Sequence, residues 1–241
     1  MTISYKRVLL KLSGESLSEK DALGISPKAV VSISNSIIQA VKSQVQVAVV
    51  IGGGNYIRGS QLDCDNVIDR ATADQMGMLA TMINALALRD GLLSLGQKAY
   101  VLSARSVDGV LETSNIQKAR TLLNEGYVVI YAGGTGNPFV TTDSTASLRA
   151  IEIQADALLK ATTVDGVYDK DPNIYPDARR YQTITFDEVL KKELKVMDLG
   201  AFAQCRDYNI AICVFDLFKN GGLNQVLLGE SEGTWVIRSS S

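Results

Sequence analysis

The sequence predicts an α/β fold, with a mostly parallel central sheet and helices on both faces in a three-layer sandwich. Three observations predict it. Short apolar runs alternate with helical segments along the chain. The run Val45 to Ile51 (VQVAVVI) is apolar almost throughout, as a strand buried on both faces must be. Polar or glycine-rich loops follow directly after Leu12, Ile51 and Tyr131, where open parallel sheets bind ligands.

The elements follow in order. Tyr5 to Leu12 reads as a strand ending in the turn Ser13-Gly14. Pro27 to Ser43 has helical periodicity, with proline near its start. Val45 to Ile51 is a strand and Thr72 to Leu95 a long helix rich in Ala, Leu and Met. Lys98 to Ala104 is a strand, Asn115 to Glu125 a helix and Tyr127 to Tyr131 (YVVIY) a strand. Thr142 to Ala155 is helical and Ala157 to Lys160 a short strand. Asp165-Gly166 and Asp171-Pro172 mark turns. Phe186 to Lys192 and Asp198 to Tyr208 read as helices, Ile210 to Phe215 as a strand, Leu223 to Leu228 as a helix and Thr234 to Ile237 as a last strand.

The 241 residues suit one domain. A soft boundary near Asp156 divides it into lobes 1–155 and 156–241. The hydrophobic fraction of 46% and charged fraction of 21% are ordinary for a globular core. With 24 basic and 26 acidic residues and no basic stripe, nucleic acid is not an expected partner. The three cysteines, Cys64, Cys205 and Cys213, fit neither a zinc site nor a disulfide framework. Histidine is absent, which removes Ser-His-Asp and Cys-His catalysis and histidine metal sites together. The first residues lack a signal-peptide pattern, and no apolar run of about 18 residues indicates a membrane span. A cytoplasmic location is therefore expected.

Neither common phosphate fingerprint, G-x-x-x-x-G-K-[ST] or G-x-G-x-x-G, occurs. Glycine loops at strand ends can still turn several backbone N–H groups toward one anion, and no Cβ blocks its approach. Gly52 to Gly54 and Gly133 to Gly136 are two such loops. Alone, each is equally well a tight turn into a helix. Lys11, near the end of an apolar strand, must reach solvent or meet an anion. Arg58, four residues past Gly54, could fork onto a phosphate.

The motifs stand in the order found in the bacterial uridylate kinases, a branch of the amino-acid-kinase fold. They are Lys11-Leu12-Ser13-Gly14-Glu15, Gly52-Gly53-Gly54-Asn55 with Arg58-Gly59, and Asp74-Gln75-Met76-Gly77-Met78. Gly134 to Asp143 (GTGNPFVTTD), Lys160-Ala161-Thr162, Val164 to Tyr168 and Lys195-Val196-Met197-Asp198-Leu199 follow. The resemblance spans roughly Tyr5 to Val236, and Thr135 to Asp143 is its most specific stretch. Two departures are Val140, where a second phenylalanine is common, and Leu23, where an aromatic is usual.

The resemblance implies ATP and UMP as substrates, with Mg²⁺ held mainly through phosphates and water rather than by a dedicated set of protein ligands. It implies ATP contacts from Lys11, Leu12, Ser13, Gly14, Gly54 and Arg58, with Thr162, Tyr168 and Asp171 at the adenosine end. It implies a UMP site of Gly53, Asp74, Thr135, Gly136, Asn137, Pro138, Phe139, Val140, Thr141 and Thr142. Asp74 would hold the ribose and Thr135 and Asn137 the uracil. Lys11, Arg58 and Asp143 would carry catalysis, with Asp143 organising Lys11 and the magnesium shell. The segment Glu19, Lys20, Asp21, Ala22, Leu23, Gly24 takes the place of an effector segment, with GTP and UTP as effectors, and the assembly implied is a homohexamer.

Elementary chemistry agrees. A phosphate acceptor, with a second pKa near 6, is largely a dianion at pH 7 and needs no general base. Two other readings stay open on the residues: a kinase of this fold acting on a carboxylate or carbamate, and a nucleotide-binding storage or sensor protein without turnover.

Overall fold

A computed structural model describes residues 5–19, 22–57, 67–219, 221–229 and 232–239. Among these, the strands form one nine-stranded sheet in the order β4-β3-β5-β2-β1-β6-β8-β9-β7. The strands are β1 Arg7–Leu12, β2 Gln46–Ile51, β3 Ala99–Ser103, β4 Glu112–Thr113, β5 Val128–Ala132, β6 Ala157–Thr162, β7 Thr183–Thr185, β8 Ala211–Asp216 and β9 Thr234–Ile237. All pairings are parallel except β8 with β9, which is antiparallel. The helices are α1 Pro27–Lys42, α2 Arg70–Ser94, α3 Ile116–Asn124, α4 Thr142–Glu152, α5 Phe186–Lys191, α6 Leu199–Asp207 and α7 Gly222–Leu227, with a short 3₁₀ turn at Gly14–Leu17.

The α/β class and the mostly parallel sheet follow the sequence expectation, and the predicted elements recur within a few residues. Two strands were not anticipated. β4 has only two residues and β7 only three, too few for an alternating pattern to register. The predicted helix from Thr142 stops at Glu152 rather than Ala155, because Gln154 takes a left-handed turn (φ 56°) ahead of β6.

Alternation along the central strands builds two cores. Val8, Leu10, Leu12, Val47, Val49 and Ile51 point to one face, where Ile33 and Ile37 of α1 and Ala85, Leu88 and Leu92 of α2 cover them. Leu9, Ala48, Val50, Val129 and Leu158 point to the other, under Leu122 and Leu123 of α3, Ala146 and Ala150 of α4, and Phe202 and Cys205 of α6. β1 lies at the centre, and Val8, Leu9, Leu10 and Leu12 are fully buried. This is the burial on both faces that a parallel sheet demands. Among the described residues α2 is the helix long and apolar enough to cross a membrane, with a mean hydropathy of 1.2 over its best window. Here its buried side lies on the sheet, and Asp74, Arg89 and Asp90 interrupt its length.

Helix termini are set by side chains. Asp69 caps α2 by accepting from Ala71 N at 2.9 Å, and Asn115 caps α3 by accepting from Lys118 N at 3.0 Å. Thr141 caps α4 by accepting from Ser144 N at 3.0 Å, and Thr185 with Glu188 forms a capping box on α5. Because β5, β2, β1 and β6 are neighbours and parallel, the loops after Ala132, Ile51, Leu12 and Thr162 all emerge along one edge of the sheet.

Candidate active site

The sheet register fixes the first feature of that edge. On adjacent strands Lys11 pairs with Lys160. Side chains opposite each other in a sheet share a face, so two ammoniums lie side by side above the second core, an arrangement that is repulsive alone. The N-terminus of α4 delivers the counter-charge. Asp143 Oδ1 is 3.1 Å from Lys11 Nζ and Asp143 Oδ2 is 2.7 Å from Lys160 Nζ. Lys160 also donates to the Val196 carbonyl at 2.8 Å. All three side chains are about 15% exposed, so the triad keeps one opening to solvent.

The electrostatics follow. Burial alone would raise the Asp143 carboxyl, but the flanking Lys11 and Lys160 ammoniums outweigh it and hold the group below the usual carboxylate range. Burial lowers the Lys160 ammonium despite the Asp143 carboxylate beside it, with Lys11 adding repulsion. The site therefore holds one ionised carboxylate in contact with two lysines.

The second feature is a cleft of about 310 Å³ beside the triad. Gly53 and Gly54 form one wall, Arg70, Asp74, Met78 and Thr81 of α2 another, and Gly134 with Phe139 to Thr142 a third. Tight packing of backbone explains the first wall. A Cβ on Gly14 would stand 2.6 Å from Gly54 N, and one on Gly53 would stand 2.7 Å from the Gly77 carbonyl of α2. These glycines are required by the contact of loop with loop and loop with helix, besides any ligand. Asn55 and Asn84, both buried, hold the same loop through a reciprocal amide pair at 2.7 and 3.0 Å. Asn84 also donates to Gly52 O at 2.8 Å and Asn55 to Gly24 O at 2.7 Å.

The third wall is a turn anchored to α2. Asp74 accepts from Phe139 N at 2.8 Å and pairs with Arg70 at 3.1 Å. Thr81 accepts from Gly133 N at 2.7 Å. Gly133, Gly134 and Gly136 have φ of 72°, 58° and 83°, a left-handed run that only glycine adopts without strain.

Of the residues singled out from sequence, Gly53, Gly54, Asp74, Phe139, Val140, Thr141 and Thr142 line this one cleft. Thr135, Gly136, Asn137 and Pro138 lie on the turn leading into it, where Arg105 fixes the Gly136 carbonyl at 2.9 Å and Thr135 Oγ1 accepts from Asn137 N at 3.3 Å. Leu12, Ser13 and Gly14 close β1 beside Gly52. Thr162 closes β6, its hydroxyl folded into the Val164 turn. Tyr168 donates to Asp165 Oδ1 at 2.5 Å, and that bond raises the phenol. Asp171 sits further out in an exposed turn, accepting from Asn173 N at 2.8 Å. Glu19, Ala22, Leu23 and Gly24 are in place, with Leu23 84% exposed and Gly24 tied to Asn55. Arg58, Lys20 and Asp21 lie outside the described residues.

Sequence reasoning missed Lys160 as a site residue, although it stands in a quoted motif. The usable signal was a lysine at the end of a second buried strand, the same signal that marked Lys11. It also missed Asn55 and Asn84, since buried amides leave no mark in a pattern.

The triad has a stability consequence. Native pairing depresses the Asp143 carboxyl, so its contribution is present above the free-carboxylate value of about 4 and is lost as pH falls through the lower native value. Asp143→Asn should cost about 1–3 kcal/mol at pH 6, less than the 3–5 of a fully enclosed pair because the triad opens to solvent. Urea unfolding should show the gap to the parent chain narrowing at pH 3.5. A gap unchanged between the two pH values would contradict the pairing.

Known proteins place this architecture. The amino acid kinase family model matches residues 6–216. A uridylate kinase from Francisella tularensis subsp. holarctica is 58% identical over 231 residues, covering 96% of this chain and 93% of that protein. A uridylate kinase from Acinetobacter baylyi is 50% identical, with 97% of both chains covered. The crystal structure of UMP kinase from Bacillus anthracis superposes with a TM-score of 0.94 at 38% identity, covering 98% of this chain and 97% of that one. The chain belongs to the amino acid kinase family, among its uridylate kinases.

Proposed function

We propose that the chain transfers the γ-phosphoryl group of ATP to UMP, giving UDP and ADP, with the transfer point at the Lys11–Asp143–Lys160 triad. The single observation that carries the reading is that two lysines share one carboxylate beside a cleft walled by glycine backbone and the Phe139 to Thr142 turn. The uridylate kinase relatives support the choice of acceptor.

UMP lies in the cleft, with Asp74 on the ribose hydroxyls, Gly53 and Thr142 on the acceptor phosphate, and Thr135 and Asn137 on the uracil. Gly136, Pro138, Phe139, Val140 and Thr141 shape that wall. ATP lies along the same edge toward β6 and β8. Lys11, Leu12, Ser13, Gly14, Gly54 and Arg58 hold its phosphates, and Thr162, Tyr168 and Asp171 face the adenosine. Residues 1–155 thus hold the acceptor and the donor's phosphates, and residues 156–241 the adenosine end, within one domain.

The acceptor oxygen is already ionised, so no base is required and the absence of histidine is no handicap. What remains is to hold two anions in line and neutralise the charge on the transferring group. Lys11 and Lys160 supply two positive charges, and Asp143 keeps both side chains aimed before substrate arrives. Among the described residues no three His, Cys, Asp or Glu side chains gather to hold a metal. Mg²⁺ would be held by the nucleotide phosphates and water, and would offset the negative charge of the transferring group. Asp143 Oδ1, buried and in contact with Lys11 without accepting a hydrogen bond, suits a metal-bound water.

A homohexamer is supported by Leu79, Ile83, Leu93 and Leu95, exposed apolar residues at α2 and its C-cap. GTP and UTP effects through Glu19 to Gly24 are supported by the bond between Gly24 and Asn55, which joins that segment to the Gly52–Gly54 loop. The location is cytoplasmic.

A coupled assay with ATP and a panel of UMP, CMP, acetylglutamate and aspartate tests the reaction. UMP should be the substrate, and kcat/KM for CMP at least about tenfold lower, because a cytosine amino group facing donors meant for uracil leaves a buried mismatch costing about 1–3 kcal/mol. Turnover of a carboxylate, or equal use of UMP and CMP, would overturn the reading. Asp74→Asn keeps an acceptor for Phe139 N but loses the charge. It should raise KM for UMP by about tenfold with kcat within threefold, since ribose contacts form equally in ground and transition states. An unchanged KM would leave Asp74 with only its anchoring role.

A further inference from the structure

The motif Lys195 to Leu199 has no part in the reaction described so far, yet it meets the triad. Val196 O receives the Lys160 ammonium at 2.8 Å. Two residues on, Asp198 reaches the head of α4 from the other side. It accepts from the Thr141 hydroxyl and from the Ser144 hydroxyl at 3.2 Å, and caps α6 by accepting from Ala201 N at 2.9 Å. One turn along, Ser147 donates to Gln204 at 2.6 Å, so the two helices are joined by side chains over two successive turns.

Asp143 and Thr142 sit between Thr141 and Ser144. Both hydroxyls bonded by Asp198 thus flank the catalytic carboxylate in sequence. The segment 196–198 grips Lys160 through a carbonyl and the first turn of α4 through a carboxylate. It therefore fixes two members of the triad, Lys160 of β6 and Asp143 of α4. The Thr141 hydroxyl is committed at both ends, donating to Asp198 and accepting from Ser144 N. It has little capacity left for a ligand, although Thr141 lines the cleft.

We infer that Asp198 is a positioning residue for phosphoryl transfer: through Thr141 and Ser144 it sets the head of α4, and so the aim of Asp143 at Lys11 and Lys160. The inference rests on the reading of the triad as the transfer point. A transfer step is sensitive to small errors of aim, whereas ground-state binding of ATP through the glycine loops does not pass through Asp198.

Asp198→Ser is the discriminating variant, because serine still caps α6 but is too short to hold Thr141 and Ser144. It should fold, with kcat at saturating Mg-ATP and UMP lowered at least about tenfold and the KM for ATP within threefold. Hydrogen exchange on the substrate-free protein gives a second readout that does not depend on the reaction. The Ser144 and Thr145 amides should exchange at least about tenfold faster than in the parent chain, with β1 and β2 unchanged. In the double variant with Ser144→Ala, kcat should be no lower than in Asp198→Ser alone, since the bond from the Ser144 hydroxyl to Asp198 is already lost there. A kcat within threefold of the parent, unchanged exchange at Ser144 and Thr145, or multiplied losses in the double variant would each overturn the inference. A parent chain that makes no UDP would instead remove the proposed reaction, while the exchange result would still report whether Asp198 holds α4.

Discussion

Two lysines forced side by side by sheet register, and the one carboxylate that keeps them there, set the terms for this molecule. Lys11 and Lys160 are register partners on adjacent central strands, with fully buried residues preceding them on the same face. At an effective dielectric of about 20, two like charges 4 Å apart repel by about 4 kcal/mol. Folding must supply an anion at that spot, and Asp143 at the head of α4 is that anion. The compensation is incomplete, because one carboxylate is in contact with two ammoniums. The residual positive field is what a phosphoryl group carrying several negative oxygens would complete.

The rest of the edge serves this arrangement. Parallel pairing of β5, β2, β1 and β6 brings four loops to one side, and glycines let them pack backbone to backbone without intervening side chains. The buried Asn55–Asn84 pair satisfies the polar groups that such loops expose. Asp74 and Thr81 tie the Gly133–Thr142 turn to α2, so the cleft walls are set by rigid elements rather than by loops alone.

Much of this was legible in the sequence, for physical reasons. A doubly buried parallel strand such as β2 must be continuously apolar, and a loop that approaches another backbone must be glycine. Both demands leave marks in the chain, which is why the sheet and the Gly52–Gly54 and Gly133–Gly136 turns could be read directly. The cleft residues Asp74 and Phe139 to Thr142 came through resemblance, not spacing, and the structure brings them together around one cleft. Lys160 carried the same local signal as Lys11, a lysine near the end of a buried strand, but its pairing with Lys11 depends on which strand neighbours β1. Register across sequence-distant strands has no local signature. β4 and β7 are too short to register, and the antiparallel pairing of β9 with β8 leaves no mark in a four-residue strand. Arg58 falls outside the described residues, so its place rests on resemblance alone.

The claim on which the account depends is that Lys160, held by Asp143, acts on the transferring group together with Lys11. It is tested most directly by the kcat of Lys160→Met at saturating Mg-ATP and UMP, with UMP affinity measured separately by calorimetry. Methionine fills the space of the lysine stem and relieves the like-charge contact, so the fold should persist. The expected result is a kcat lower by about two orders of magnitude or more, in keeping with positive charges that stabilise phosphoryl transfer, with UMP affinity within threefold. A kcat near that of the parent chain would show that Lys160 only balances Asp143, and that the second charge at the transfer point comes from elsewhere.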